Sequence, residues 1–285
     1  MVIIKISGGL GNQMFQYALY RKMVCLGKDA KLDLSFYQND RYGRELKLNI
    51  FEITYKEASE KECRKLGECT YTAFDKLRRK ITGYKRSYYL EDLDKGFQPE
   101  IFDKENIYLD GYWQCEKYFA DIRELLLKEF QFPQKISSYS CKILEEIEKC
   151  PAVSIHVRRG DYLTEENKKI YGNICTREYY KNSIDWFRKH IRTPYFFLFS
   201  DDIEWTKKNI WEPGMKIVEK AKDKKDYEDM FLMSKCKHHI IANSSFSWWG
   251  AWLNAYENKL VIAPGKWFQN HQASDAICKD WIRMI

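Results

Sequence analysis

Val2-Ile3-Ile4-Lys5-Ile6 is a short apolar run ending at Ser7-Gly8-Gly9-Leu10-Gly11, and a periodic stretch, Met14 to Leu26, follows before Gly27. The run predicts a buried strand, the glycines a tight turn, and the periodic stretch a helix that stops at Gly27. Ala30-Lys31-Leu32-Asp33-Leu34 predicts the next strand. Strand, glycine turn, helix and strand make one βαβ unit, which implies a parallel sheet.

The same alternation returns in the second half. Ala152–Val157, Tyr195–Phe199, Met215–Val218, His239–Ala242 and Leu260–Ala263 read as strands. Tyr179–Ile191, the segment opened by Ser200-Asp201-Asp202, Tyr227–Ser234 and the Trp-rich stretch after Asn243 read as helices. Between the halves, Asn106–Trp113 predicts a strand, and Phe119, Ile122, Leu125, Leu126 and Phe130 share one helical face. Phe132-Pro133 through Ser140 reads as a linker, and residues 36–105 as helices and loops without clean periodicity. The expected architecture is therefore α/β with two Rossmann-like domains, 1–135 and 136–285. In such sheets ligands bind at the carboxyl ends of the strands.

Composition narrows the function. The 285 residues carry 48 Lys plus Arg against 41 Asp plus Glu, a net charge of +7 that is too small for a dedicated nucleic-acid binder. Arg78-Arg79-Lys80 is the kind of short basic piece that forms a solvated face or draws weakly on anionic surfaces. The nine cysteines include no C-x-x-C pair, which speaks against a zinc ribbon or a disulfide framework and for reduced thiols. Met1–Ser7 is too short for a signal h-region, and no window reaches the length of a membrane span. A cytoplasmic protein that visits the inner face of a membrane is expected.

Three motifs fall at predicted strand ends. In the first, Gly8-Gly9-Leu10-Gly11-Asn12-Gln13-Met14, the glycines let a ligand approach the backbone, and Asn12 and Gln13 offer amides to sugar or phosphate oxygens. A dinucleotide fingerprint ending at Asp33 is the rival reading, but Met14 stands where its third glycine belongs. The second motif is His156-Val157-Arg158-Arg159-Gly160-Asp161-Tyr162. Two arginines at a strand end are costly to bury unless they meet anions, and guanidinium grips a diphosphate in a bidentate fork. Asp161 could hold one of them; a purely structural Arg–Asp network is the alternative. The third motif is Asn243-Ser244-Ser245-Phe246-Ser247-Trp248-Trp249, where a serine either caps the helix or leaves its N–H groups to a phosphate. Trp248, Trp249 and Trp252 are expected in the core rather than as a sugar platform. Ser200, Asp201 and Asp229, at helix starts, are candidates for ribose or base. There is no P-loop and no H-E-x-x-H; the one D-x-D, Asp92-Leu93-Asp94, reads as surface acids.

Taken in order and separation, the three motifs resemble the family 11 glycosyltransferases, the α-1,2-fucosyltransferases. H-x-R-x-G-D is shared more widely, with α-1,6- and protein O-fucosyltransferases. The resemblance implies a GT-B fold of two facing Rossmann-like domains, with GDP-fucose held mainly by the C-terminal one. It implies that Arg158, with Arg159 beside it, clamps the donor's β-phosphate. Asn243, Ser244, Ser245 and Phe246 would surround the diphosphate, and Asp229 or Ser200-Asp201 would lie near the guanosine. Asn12, with Gly9, Gly11 and Gln13 in its turn, would face fucose and acceptor. The implied reaction is inverting transfer from GDP-β-L-fucose to the 2-hydroxyl of a galactose-type residue, without a metal or other cofactor. The partner would be a galactose-containing glycan such as a lipid-linked O-antigen precursor. His156, Asp161, Glu165 and Glu166 all remain open as the base. A fucosyltransferase of other linkage or another GDP-sugar transferase is the nearest alternative. A non-catalytic glycan-binding module and a nicotinamide oxidoreductase are more distant ones.

Overall fold

The computed structural model describes residues 1–38, 43–68, 73–270 and 275–285. The chain divides into two compact units, Met1–Gln131 and Phe132–Ile285. The first contains β1 (Val2–Lys5), α1 (Leu10–Cys25), β2 (Ala30–Asp33), α2 (Glu60–Leu66), α3 (Ala73–Thr82), β3 (Tyr88–Leu90), β4 (Ile107–Asp110) and α4 (Arg123–Glu129). The second contains α5 (Ser138–Glu148), β5 (Ala152–Val157), α6 (Glu165–Tyr171), α7 (Arg177–His190), β6 (Tyr195–Ser200), α8 (Ile203–Asn209), β7 (Lys216–Val218), α9 (Tyr227–Lys235), β8 (His238–Ile240), α10 (Ser245–Trp252), β9 (Val261–Pro264) and β10 (Ile282–Met284).

Every strand pairing is parallel, as the βαβ pattern predicts. The first sheet runs β2-β1-β4-β3, and the second β10-β9-β8-β5-β6-β7. Val2, Ile3 and Ile4 are fully buried, and α1 is buried along most of its circumference. A strand covered on both faces favours a near-continuous apolar run, which β1 has up to Lys5; β5 buries Ser154 and His156 among its apolar residues.

Several local expectations are corrected. The helix begins at Leu10, not Met14, because Gly9 already takes the extended N-cap conformation; Gly11 is thus a buried residue of the first helical turn. The stretch 36–105 holds an unforeseen strand, β3, and a helix, α2, opened by a Ser59–Glu62 capping box. The expected linker ends inside a helix: the Ser137 hydroxyl accepts from Ser140 N–H and opens α5. Leu260–Ala263 is not the last strand, since β10 pairs beyond it. Cys69 lies outside the described residues; Cys25, Cys141, Cys150, Cys175 and Cys236 are in no disulfide.

In the second unit all six β5 residues are buried, and Tyr179, Tyr180, Ile184 and Phe187 of α7 pack against the sheet. Trp248, Trp249 and Trp252 are buried with ring centroids 4.9–5.9 Å apart, and Trp248 Nε1 donates to the Ala276 carbonyl at 2.6 Å. They form core, not a sugar platform. Because β5 lies between β6 and β8, the carboxyl ends of these three strands stand side by side. The second motif leaves β5, Ser200-Asp201-Asp202 leaves β6, and the third motif follows β8.

Candidate active site

His156 points into the protein near the end of β5, only 6% exposed. Burial first, and the Arg158 charge second, push its pKa down to about 4, while Asp201 opposes them. The ring is therefore neutral at ordinary pH, and its Nδ1 is buried without a hydrogen-bond partner. Two residues on, Arg158 emerges at the strand end, about one-third exposed, between two carboxylates. Its Nη1 lies 3.1 Å from Asp201 Oδ2 and its Nη2 2.8 Å from Asp161 Oδ1. The second contact is an ion pair without an aligned hydrogen bond, since Asp161 Oδ1 has none. Arg159 turns away: its Nε lies 3.1 Å from Asp202 Oδ2, and its guanidinium stacks 4.0 Å from the Trp205 ring centre. The two arginines thus do different work, and Arg158 is the one lodged between carboxylates at the strand end.

The loop after β5 is held to the loop before α10. Tyr162 Oη donates to the Asn243 carbonyl at 2.8 Å, and the rings of His156 and Phe246 are 5.8 Å apart. Ser244 is the N-cap of α10 yet makes no side-chain cap bond. The first-turn N–H groups, and the partial positive charge of the helix end, therefore receive no cap bond from the Ser244 hydroxyl. Ser245 and Phe246 form this turn. The Asn243 amide is engaged elsewhere: Nδ2 donates to Tyr171 and Trp267 carbonyls at 3.1 and 3.2 Å, and Oδ1 accepts from Cys175 Sγ at 3.5 Å. Asn243 shapes the loop rather than offering its amide to a ligand.

The acids at the neighbouring helix starts also separate. Asp202 caps α8 by accepting from Trp205 N–H at 3.0 Å, and the Ser200 hydroxyl accepts from Asp202 N–H and Thr206 Oγ1. Asp201 faces back toward Arg158, and its Oδ1 accepts from the Arg159 N–H at 2.9 Å. Gly160 fits against it: a Cβ there would stand 2.7 Å from Asp201 Oδ2. Asp229, in the first turn of α9, pairs with the buried ammonium of Lys224, and burial outweighs this pairing to raise its pKa. Glu165 and Glu166 are exposed in the first turn of α6.

In the first unit, Gly8 has φ +79° and accepts from Tyr37 Oη at 2.9 Å. A side chain at Gly8 would meet Asn12 Nδ2 at 2.7 Å, whereas the space around exposed Gly9 is open. Asn12 Oδ1 accepts from Gln114 Nε2 at 2.8 Å. The expected open amide at Gln13 is corrected: it is fully buried, donating to the Gly8 and Glu45 carbonyls and accepting from the Lys47 and Leu48 N–H groups. Asp33 likewise accepts from Tyr108 Oη at 2.5 Å and Ser35 N–H at 2.9 Å, so the ribose role of the rival fingerprint has no carboxylate to perform it. Asp92 accepts from Asp94 N–H at 3.1 Å and pairs with Lys95 at 3.4 Å in a turn after β3.

Sequence reasoning missed Trp205 and Gln114. Asp202 is at a helix start, where the Ser200-Asp201-Asp202 reading put it; nothing in the sequence links Gln114 to Asn12.

A parallel α/β unit with a guanidinium and an uncapped helix start at adjacent strand ends has the form of a phosphate-holding enzyme site, and comparison with known proteins makes the class specific: a glycosyltransferase. The family description "Glycosyl transferase family 11" matches residues 1–284, and the chain belongs to that family. It is similar to an alpha-1,2-colitosyltransferase of Escherichia coli, 38% identical over all of this chain and 99% of the relative. It is similar to the O-antigen biosynthesis glycosyltransferase WbnK of Escherichia coli, 31% identical over 98% of this chain and 99% of the relative. A galactoside alpha-(1,2)-fucosyltransferase 1 of Leontopithecus chrysomelas is 23% identical over 61% of this chain and 51% of its own length.

Proposed function

We propose that this protein transfers L-fucose from GDP-β-L-fucose to the 2-hydroxyl of a galactose-type residue of a glycan, with inversion and without a metal. The observation that carries this reading is Arg158, held by two carboxylates at the end of β5, beside a helix start with no side-chain cap. The fucosyl C1–O bond to GDP breaks as the acceptor oxygen attacks C1, and the acceptor proton leaves. Negative charge grows on the departing diphosphate. A fixed guanidinium and the α10 N–H groups stabilise it without reorganising, as preorganised donors do. Asp161, Glu165, Glu166 or neutral His156 receives the proton, and pH–rate profiles of single variants tell them apart. An O-antigen precursor presented on lipid from the cytoplasmic side is the acceptor class we favour, in keeping with the WbnK relative.

The relative at 38% identity supports a second donor: GDP-colitose, whose sugar is L-fucose lacking the 3-hydroxyl. Parallel assays with the two donors and galactose-terminated acceptors, followed by linkage analysis, separate the readings. Transfer of fucose in α-1,2 linkage that persists in excess chelator is expected. Transfer of neither sugar refutes the proposal, and activity that chelator abolishes and manganese restores refutes its metal-free part.

A further inference from the structure

Over its described side chains, from residue 75 on, helix α3 has its amphipathic sense reversed. A surface helix normally turns apolar residues inward and charges outward. Here Arg78 and Arg79 reach inward to the buried carboxylate of Glu68, and the two arginines are themselves largely covered. Glu68 also accepts from the Lys85 N–H at 2.8 Å, just past the helix, and Lys85 Nζ donates to the Arg64 and Gly67 carbonyls. The arginine face is therefore fixed against the unit. The flank of the helix on the other side of Arg78 from Arg79 carries Leu77, 57% exposed, Ile81, 74% exposed, and beyond the helix end Tyr84, 57% exposed. These are three of the most exposed large apolar side chains among the described residues, and they fall within one short segment. Leu77 and Ile81 are one turn apart, so they form one ridge.

The surroundings of that ridge are cationic. Lys76, Arg78, Arg79, Lys80, Lys85 and Arg86 stand against a single acid, Asp75, in residues 75–86. Lys76, Lys80 and Arg86 are exposed. No helix among the described residues is long and apolar enough to cross a membrane.

From this reversal we infer that α3 and the following turn form a docking surface for an anionic lipid bilayer. Leu77, Ile81 and Tyr84 enter the interface, and the lysines lie at the depth of the lipid phosphates. Charge complementarity selects this occupant: an apolar ridge framed by the exposed Lys76 and Lys80 suits an anionic surface, and long lysine stems let the charges stay at the headgroups. The inference does not depend on which sugar the enzyme transfers.

The test is co-sedimentation of the full chain with vesicles of phosphatidylcholine alone, or of an equal mixture with phosphatidylglycerol. Affinity for the anionic vesicles should be at least about tenfold higher and should fall with added salt. The double variant Leu77→Ser/Ile81→Ser should bind them at least about tenfold more weakly, with unchanged thermal midpoint and unchanged transfer to a water-soluble acceptor. Lys76→Glu/Lys80→Glu, at exposed positions, provides a second route to the same loss should the serine variant be unstable. Equal pelleting with both vesicle types, or parental binding by both variants, overturns the inference. So does a wild-type chain that ignores vesicles and is retained instead by protein or nucleic acid through these residues.

Discussion

Asp201 binds both halves of the Arg158-Arg159 pair at once: its Oδ2 lies 3.1 Å from the Arg158 guanidinium and its Oδ1 accepts from the Arg159 backbone N–H at 2.9 Å. One carboxylate at the end of β6 thereby fixes both backbone and side chain at the end of β5. A guanidinium held this way pays little orientational entropy when charge appears in front of it. The arrangement has a cost as well, because Asp161 and Asp201 offset part of the Arg158 charge.

If Asp201 acts through Arg158, their effects cannot add. Arg158→Ala should lower the transfer rate roughly 10²–10³-fold, the loss typical of one preorganised donor. Asp201→Asn, which keeps the shape and loses the charge, should cost about tenfold or more by itself. In the Arg158→Ala background it should cost almost nothing. A double-mutant cycle on kcat, with GDP affinity measured by calorimetry, checks this. Additive losses would show that Asp201 works independently of the arginine.

Gly160 gives a sharper probe of the same geometry. A methyl group there would lie 2.7 Å from Asp201 Oδ2 and 3.3 Å from its Cγ, so the carboxylate must move. The turn is on the surface, so Gly160→Ala should change stability by less than about 1 kcal/mol. Its kcat should nonetheless fall about tenfold or more, because a displacement of a few tenths of an ångström loosens the Arg158 clamp. Urea midpoints and steady-state rates measured side by side decide whether the glycine serves the site or merely the chain path.

The neutral state of His156 has a consequence for stability. Its pKa is lowered to about 4 in the folded protein, mostly by burial, so the unfolded chain binds a proton there more readily than the folded one. The stabilising difference is complete above the unfolded value and is lost as pH falls from about 6.5 toward 4. Its share of that loss is at most about 3 kcal/mol. His238 and His239 are lowered too, again chiefly by burial, and slope the same way. The informative measurement is therefore a comparison: between pH 7 and pH 5, His156→Asn should lose less stability than the parent. A parent and variant with parallel pH profiles would show that the ring is not kept neutral.

Much of the architecture was readable because the central strands are rich in apolar residues. β1 and β5 are buried throughout their apolar residues, and burial on both sides leaves little freedom in composition. The elements that escaped are those with little burial to advertise them. β3 and β10 are three residues each, only partly buried, at sheet edges. α6 has no buried residue; its signal was the Thr164 cap followed by Glu165 and Glu166. In the site, sequence located strand ends and residue types but not partners. That Asn243 bonds two carbonyls from distant loops, or that Arg159 leans on Trp205 and Asp202 instead of standing with Arg158, depends on contacts across the fold.

Asn12 and Gln13 show the same limit and supply the last prediction. As adjacent amides in the first glycine motif they look equivalent in sequence. In the fold the fully buried Gln13 side chain ties the turn to residues 45–48 through three hydrogen bonds and holds the Gly8 carbonyl with a fourth. Removing it takes the partner from the Glu45 carbonyl and from two N–H groups, while the Gly8 carbonyl keeps Tyr37 Oη, so Gln13→Ala should destabilise the protein by about 2–4 kcal/mol. The Asn12 side chain accepts from Gln114 Nε2 at 2.8 Å and is only partly buried. Asn12→Ala should cost about 1 kcal/mol or less in stability, yet depress transfer more than tenfold if its amide contacts the sugars. Gln114→Ala should reproduce part of that depression by releasing Asn12, and should raise KM more than it lowers kcat. Urea unfolding and donor and acceptor kinetics on the three variants test the division of labour. A Gln13→Ala protein of normal stability, or an Asn12→Ala enzyme of normal rate, would reverse the assignment of the two amides.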